Sequence, residues 1–326
     1  MMNHRMNVLF LNFLTLGLLM FGVNLSVHAQ PTSMVRLVIA FPPGGPSDAL
    51  ARQLADQLGV ELGQNVLVEN KPGGNGAVAA QYVLNAPNDG KTLWLTTAGA
   101  ITINPNLYPK LTYDVQQFAP VSLVVNNQEV LVVNGKNPVS DVDEFLKSSL
   151  LKKGGLNLTS SGIGSMPHMA ISLFQDSTGK TFTHIPNKGA APAITDLLGD
   201  HVDGFFGDIP GVLSYIQAGS LKAIGIAATQ RNPLLPNVKT FDEMGIKGMH
   251  LNNWSAIYVS KGVSNSVLDE LNSAVKRTLE NKATFEKIKA SGADPQWSTR
   301  SDLSRMAQNE STTWRRVIQK YNVKAE

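Results

Sequence analysis

Residues 35–48 read Val-Arg-Leu-Val-Ile-Ala-Phe-Pro-Pro-Gly-Gly-Pro-Ser-Asp, and this stretch decides the fold. Val35 to Ala40 is a short apolar run, β-branched at Val35, Val38 and Ile39, as a buried strand requires. Beyond Asp48, Leu50, Leu54 and Leu58 fall on one stripe of a helix. The turn between them is rich in Pro and Gly. Pro46 suits a first helical turn, which puts Gly45 at the N-cap.

The same alternation continues downstream. Val66–Glu69 reads as a strand, 70–76 as a turn, Ala77–Leu84 as a small-residue helix and Leu93–Thr96 as a third strand. Two apolar runs follow, Val121–Val125 and Val130–Val133. A second alternating set has helices near 141–152, after Ser165, at 191–198 and near 212–218. Its strands lie at 156–160, near 182–185, at 202–206 and at 223–228, with another strand-like run at 253–259. Ser264 is placed to cap a helix carrying Val267, Leu268, Leu271, Val275 and Leu279. Thr299 to Asp302 fits a capping box ahead of the stripe Leu303, Met306, Ala307, Trp314, Val317 and Tyr321. Alternation of this kind predicts an α/β fold with a mainly parallel sheet covered on both faces. No Gly/Ser linker separates the two sets, so a hinge is expected rather than a loose tether.

Composition narrows the function classes. The chain has 326 residues, 43% hydrophobic and 16% charged, enough to bury a substantial core. The net charge of +3 comes with no dense basic run, so no nucleic-acid partner is expected. With no Cys, disulfides, thiolate metal sites and Cys nucleophiles are excluded. Residues 1–29 read as a secretory signal peptide. Arg5 is its charged start, Val8–Val23 its apolar segment, and Val27-His28-Ala29 its cleavage pattern, with cutting before Gln30. The mature chain is then expected outside the cytoplasm.

Two strand-to-helix loops stand out. In Phe41–Asp48 the glycines allow backbone N–H groups to approach a ligand, and the helix start favours an anion; the alternative is a tight turn with no ligand. Ser160-Ser161-Gly162-Ile163-Gly164-Ser165-Met166-Pro167-His168 repeats the logic, with hydroxyls added. His168 alone is more often a hydrogen-bonded structural residue than a base. Thr96-Thr97-Ala98-Gly99 and Lys188-Gly189-Ala190-Ala191-Pro192 are further strand-end loops that could line the same cleft. Asp208 falls just past a strand end, where a site could form. No GxSxG elbow, HExxH or metal-ligand His spacing is present, so neither catalysis nor a metal or cofactor is expected.

Several blocks together carry a resemblance: FPPGGPSD (41–48), VENKPGGNG (68–76), INPNLYPKLTYDVQQFAPVSLV (103–124), GIGSMPH (162–168), KGAAPAITDLLGDHVDGFF (188–206) and AGSLKAIGIAATQRNPLLPNVKTFDEMG (218–245). The sequence resembles the Bug family, the extracytoplasmic solute-binding proteins of tripartite tricarboxylate transporters. The resemblance implies a two-lobed periplasmic binding fold of type II-like form, two Rossmann-like domains joined by crossover strands. Residues 30–123 plus 251–326 are expected to form one lobe and 124–250 the other. It implies a monomer that closes on a small carboxylate and passes it to membrane permease subunits, or alternatively serves a membrane receptor as a sensing subunit.

In the same way, the resemblance points to Phe41, Gly44, Gly45, Pro46, Ser47 and Asp48, and to Ser160, Ser161, Gly164, Ser165 and His168, as ligand-binding positions, with Asp48 expected to organise its loop or meet a polar ligand group. Asn187 stands where relatives often carry an aromatic residue. Gly207-Asp208 stands where an Asp-Asn pair is common. Both departures fall on the distal side of the expected pocket, beside Gly189 and Ala190.

Overall fold

The computed structural model describes residues 34–325, apart from 149–151 and 153. The segment read as an export signal lies outside the described residues. Strand β1 (Met34–Ile39) forms because Leu37, Val38 and Ile39 have apolar partners on both faces and are fully buried. Helix α1 (Pro46–Leu62) lays Leu50, Leu54 and Leu58 against it and stops at Gly63, whose φ of 63° suits glycine. Strands β2 (Asn65–Asn70) and β3 (Thr92–Thr97) pair parallel with β1 on either side, and α2 (Ala77–Leu84) crosses between them.

The two apolar runs at 121–125 and 130–133 belong to one strand, β4 (Phe118–Asn134), 17 residues long. The polar stretch Asn126–Glu129 does not interrupt it. The first part of β4 pairs antiparallel with β9 (Asn252–Ser260), which also pairs with β3. Its second part pairs antiparallel with β7 (Gly204–Asp208) and β8 (Leu221–Ile226). Strands β5 (Leu156–Ser160), β6 (Phe182–Pro186) and β7 then form a second parallel group, with β5 in the middle. The order is β2-β1-β3-β9-β4-β7-β5-β6, with β8 on β4. The expected mainly parallel sheet is therefore mixed. Helical crossovers make the two outer groups parallel, whereas β4 and β9 run between the groups without such crossovers and lie antiparallel to their neighbours.

The second group carries α4 (Val142–Ser148), α5 (Met166–Thr178), α6 (Ala190–Leu198) and α7 (Ile209–Gln217); α3 (Asn104–Leu107) follows β3. Phe174 stacks on Phe182 at 5.1 Å and meets Phe206 and Phe241 edge-on, filling that group's core. The chain ends in α8 (Asn265–Glu280), α9 (Lys282–Ala290) and α10 (Arg300–Tyr321). Ser264 and Thr299 cap α8 and α10 through the N–H groups of Val267 and Asp302. Among the described residues no helix is long and apolar enough to cross a membrane.

Helix α10 is pinned by a buried carboxyl. Glu310 Oε2 accepts from Trp254 Nε1 at 2.7 Å and lies 2.9 Å from Thr102 Oγ1. The Thr102 hydroxyl also lies 2.8 Å from Ala98 O, so this one donor is shared between that carbonyl and the Glu310 carboxyl. Burial pushes the Glu310 pKa up to about 7, against the pull of its donors Trp254 and Thr102. Because the folded value exceeds the unfolded one near 4.5, this group's contribution to stability is full below about pH 4.5 and lost as pH rises to about 7. The loss is about 3 kcal/mol. Denaturation of wild type and Glu310→Gln across pH 4–8 should show a stability difference that changes by this order through that window. A constant difference would contradict the assignment.

Candidate functional site

Four helix N-termini converge on one cavity, and they come from both strand groups. Its wall includes Gly45, Ser165, Gly189 and Asp208, the N-cap residues of α1, α5, α6 and α7. The cavity has a volume of about 70 Å³, room for about five waters. A Cβ at Gly189 would sit 3.8 Å from Pro42 Cδ, and one at Gly211 would sit 3.3 Å from Pro46 Cγ. The loops of the two groups thus nearly touch around the cavity.

Local sequence explains why these ends are open. Gly45 and Gly189 provide no capping side chain, and Pro46 has no N–H to offer, so the remaining first-turn N–H groups of α1 and α6 are left for a ligand. Gly189 also needs its φ of 116°, a conformation costly for other residues. Ser165 caps α5 by accepting from His168 N at 3.4 Å, and its hydroxyl donates to Gly162 O at 2.6 Å. Partial positive charge at these helix starts, with the hydroxyls of Ser47, Ser161, Thr97 and Ser255, makes a neutral-donor anion site. Among the described residues Lys188 is the one cation on the wall.

Of the residues expected at the site, Phe41, Gly45, Pro46, Ser47, Thr97, Ser161, Ser165, Gly189, Ala190 and Asp208 line the cavity. Gly44, Asp48, Ala98, Ser160, Gly164, His168 and Asn187 stand behind the wall. Most of the latter hold the loops. Asp48 accepts from Gly44 N at 3.1 Å, from Arg52 Nε and Nη2 at 3.0 and 2.9 Å, and from Asn70 Nδ2 at 3.0 Å. The Arg52 hydrogen bonds hold its carboxyl below the ordinary value against the opposing effect of burial. Gly44 takes φ 84°, which this bracing supports. Asp48→Ala should cost about 1–3 kcal/mol by leaving Arg52 and Asn70 short of a partner. Chemical denaturation would check this, and a change under 0.5 kcal/mol would count against the bracing role.

His168 is a packing residue. Its Nδ1 accepts from Gly164 N at 3.2 Å, and its ring stacks on His184 at 4.2 Å. Desolvation lowers the pKa of His168 to about 3 and that of His184 to about 4, so both are neutral at physiological pH. Ser160 Oγ lies 2.7 Å from His184 Nε2. Asn187 turns its amide to Thr159 Oγ1 and Asp196 Oδ2.

Pro42, Pro43, Met166, Pro167, Lys188, Ala191 and Pro192 also line the wall, within the loops that the sequence singles out. Sequence reasoning missed Asn253 and Ser255. Asn253 and Ser255 lie within β9, which no loop-based search reaches. It also missed Glu129. This residue is fully buried and directly opposite Asp208 in the β4–β7 ladder. Burial, and secondarily Asp208, raise its pKa well above the carboxylate norm. Burial also pushes Asp208 up to about 6, against weak support from Asn127 Nδ2 at 3.5 Å.

Comparison with known proteins gives a consistent picture. The family described as "Tripartite tricarboxylate transporter family receptor" matches residues 50–323. Protein BugT of Bordetella pertussis is 31% identical over 301 residues, covering 92% of each chain. Among solved structures, Rpa4515 of R. palustris with adipate superposes with a TM-score of 0.86 at 28% identity, covering 90% of this chain and 99% of that one. MatC of Rhodopseudomonas palustris with bound malate gives 0.82 at 29% identity, covering 88% and 99%.

Proposed function

The chain belongs to the tripartite tricarboxylate transporter receptor family, and from that premise we propose that it captures a small carboxylate in the cavity just described and hands it to the membrane permease of such a transporter. The observation that carries this reading is the meeting of four helix N-termini on one cavity walled by both strand groups. The adipate and malate bound by similar structures support a carboxylate as the ligand. Its carboxylate would take hydrogen bonds from the first turns of α1 and α6 and from the hydroxyls of Ser47 and Ser161. Such charge-assisted bonds hold an anion without a full countercharge.

We take residues 30–123 with 251–326 as one lobe and 124–250 as the other. A ligand touching both favours the closed arrangement by its differential affinity for that state. Residues 1–29 direct export and are removed after Ala29, which puts the mature protein in the periplasm. The relatives are solute-binding proteins, and the reading here is capture without chemistry.

Native mass spectrometry of freshly purified protein, followed by thermal shift against a panel of small carboxylic acids, tests this. A true ligand at a hundred times its Kd should add about 2.7 kcal/mol of stability and be recovered unchanged. Failure of every acid to stabilise the protein, or chemical conversion of a bound acid, would contradict the reading.

A further inference from the structure

A buried pair of carboxyls stands at one side of the cavity, Asp208 on its wall and Glu129 behind it. Glu129 and Asp208 face each other across the β4–β7 ladder, so their side chains leave the same face of the sheet, and Asp208 lines the cavity. Glu129 is 0% exposed, and neither of its carboxyl oxygens has a hydrogen-bond partner. Asn253 on the cavity wall is near enough to favour its charge, though not in full hydrogen-bond geometry. Among the described residues neither carboxyl belongs to an ion pair. A smaller chamber of about 50 Å³ shares Asp208, Ser47 and Ser255 with the cavity and is also lined by Asn127.

We propose that the cavity selects a small acid that also carries a cationic amine, its carboxylate at the open helix N-termini and its ammonium at the Asp208–Glu129 pair. This rests on the carboxylate-binding reading above. Buried carboxyls are ordinarily hydrogen-bonded or paired with a cation, and this pair has no protein cation to meet. An ammonium supplies three donors and the missing charge. A second carboxylate in the same place would face Asp208 as a like charge in a poorly screened pocket. Two carboxyls alone fall short of a metal site, and among the described residues no cluster of three or more potential metal ligands occurs.

The groups facing the pair are Asn127 from β4, Asn253 and Ser255 from β9, and Pro46 and Ser47 from α1. Lys188, on the loop before α6, is the one cation on the cavity wall among the described residues. With Asp208 titrating near pH 6, capture of an amino acid should strengthen as pH rises through that value.

The test is a calorimetric panel at pH 7.5. It uses glycine, β-alanine, 4-aminobutyrate and 5-aminopentanoate, each against the unsubstituted monoacid and the dicarboxylate of similar length. At least one amino acid should bind about 10-fold tighter than both of its counterparts. Asp208→Asn, and separately Glu129→Gln, should remove that preference. The wild-type preference alone decides the matter if either variant fails to fold. Tighter binding of the dicarboxylate or the unsubstituted acid, or a preference unchanged in both variants, overturns the inference and leaves carboxylate capture standing. Absence of binding by every member of the panel overturns both.

Discussion

Gly45→Val should abolish ligand capture while leaving the fold intact. Gly45 has φ −85° and ψ 172°, a conformation that valine adopts readily. A Cβ there would meet only Pro42 O, at 3.8 Å. Its added carbons therefore enter the cavity, whose free volume is about 70 Å³, and cover the first-turn N–H groups of α1. Affinity for the native ligand should fall by about 100-fold or more, equivalent to about 2.7 kcal/mol. Valine is a poorer N-cap than glycine, so stability should change by only about 0.5–1 kcal/mol. Calorimetry with circular dichroism separates the two effects. Affinity within threefold of wild type would place the ligand elsewhere. Gly189 is a less clean target, because its φ of 116° makes any side chain strained.

Trp254→Ala should produce the largest loss of stability. Trp254 is buried in β9 with its indole N–H on Glu310, and β9 sits between β3 and β4. Truncating so large a buried side chain costs about 3–5 kcal/mol. Glu310 also loses a donor while remaining buried, which adds to the cost. The melting temperature should drop by about 10 °C. Because Asn253 and Ser255 flank Trp254 on the cavity wall, affinity should fall with it. Trp254→Phe keeps most of the packing and removes only the N–H, so it should raise the Glu310 pKa with a smaller loss of stability. A drop of less than about 3 °C for the alanine variant would contradict the packing account.

What could be read without a structure follows from local physics. The unit 35–62 is legible because apolar period, Pro at the helix start and Gly at its end agree on one answer. The glycine and hydroxyl loops announce themselves because only such residues open a helix start. Side-chain direction is not local. Asp48, Ser160, His168 and Asn187 sit in the right loops, yet their side chains turn away to brace them. Strand β4 reads only as two apolar runs, because the role of the polar stretch Asn126–Glu129 between them emerges only with its cross-strand partner Asp208. Asn253 and Ser255 reach the site through long-range antiparallel pairing of β9, which leaves no mark on neighbouring residues.

A crystal structure of the protein purified with its native ligand bears most directly on the whole account. The ligand's carboxylate is predicted between the two strand groups, about 3 Å from the first-turn N–H groups of α1 and α6 and from the Ser47 and Ser161 hydroxyls, directly or through one water. Ligand density outside that cavity, or a carboxylate turned toward Asp208, would contradict it.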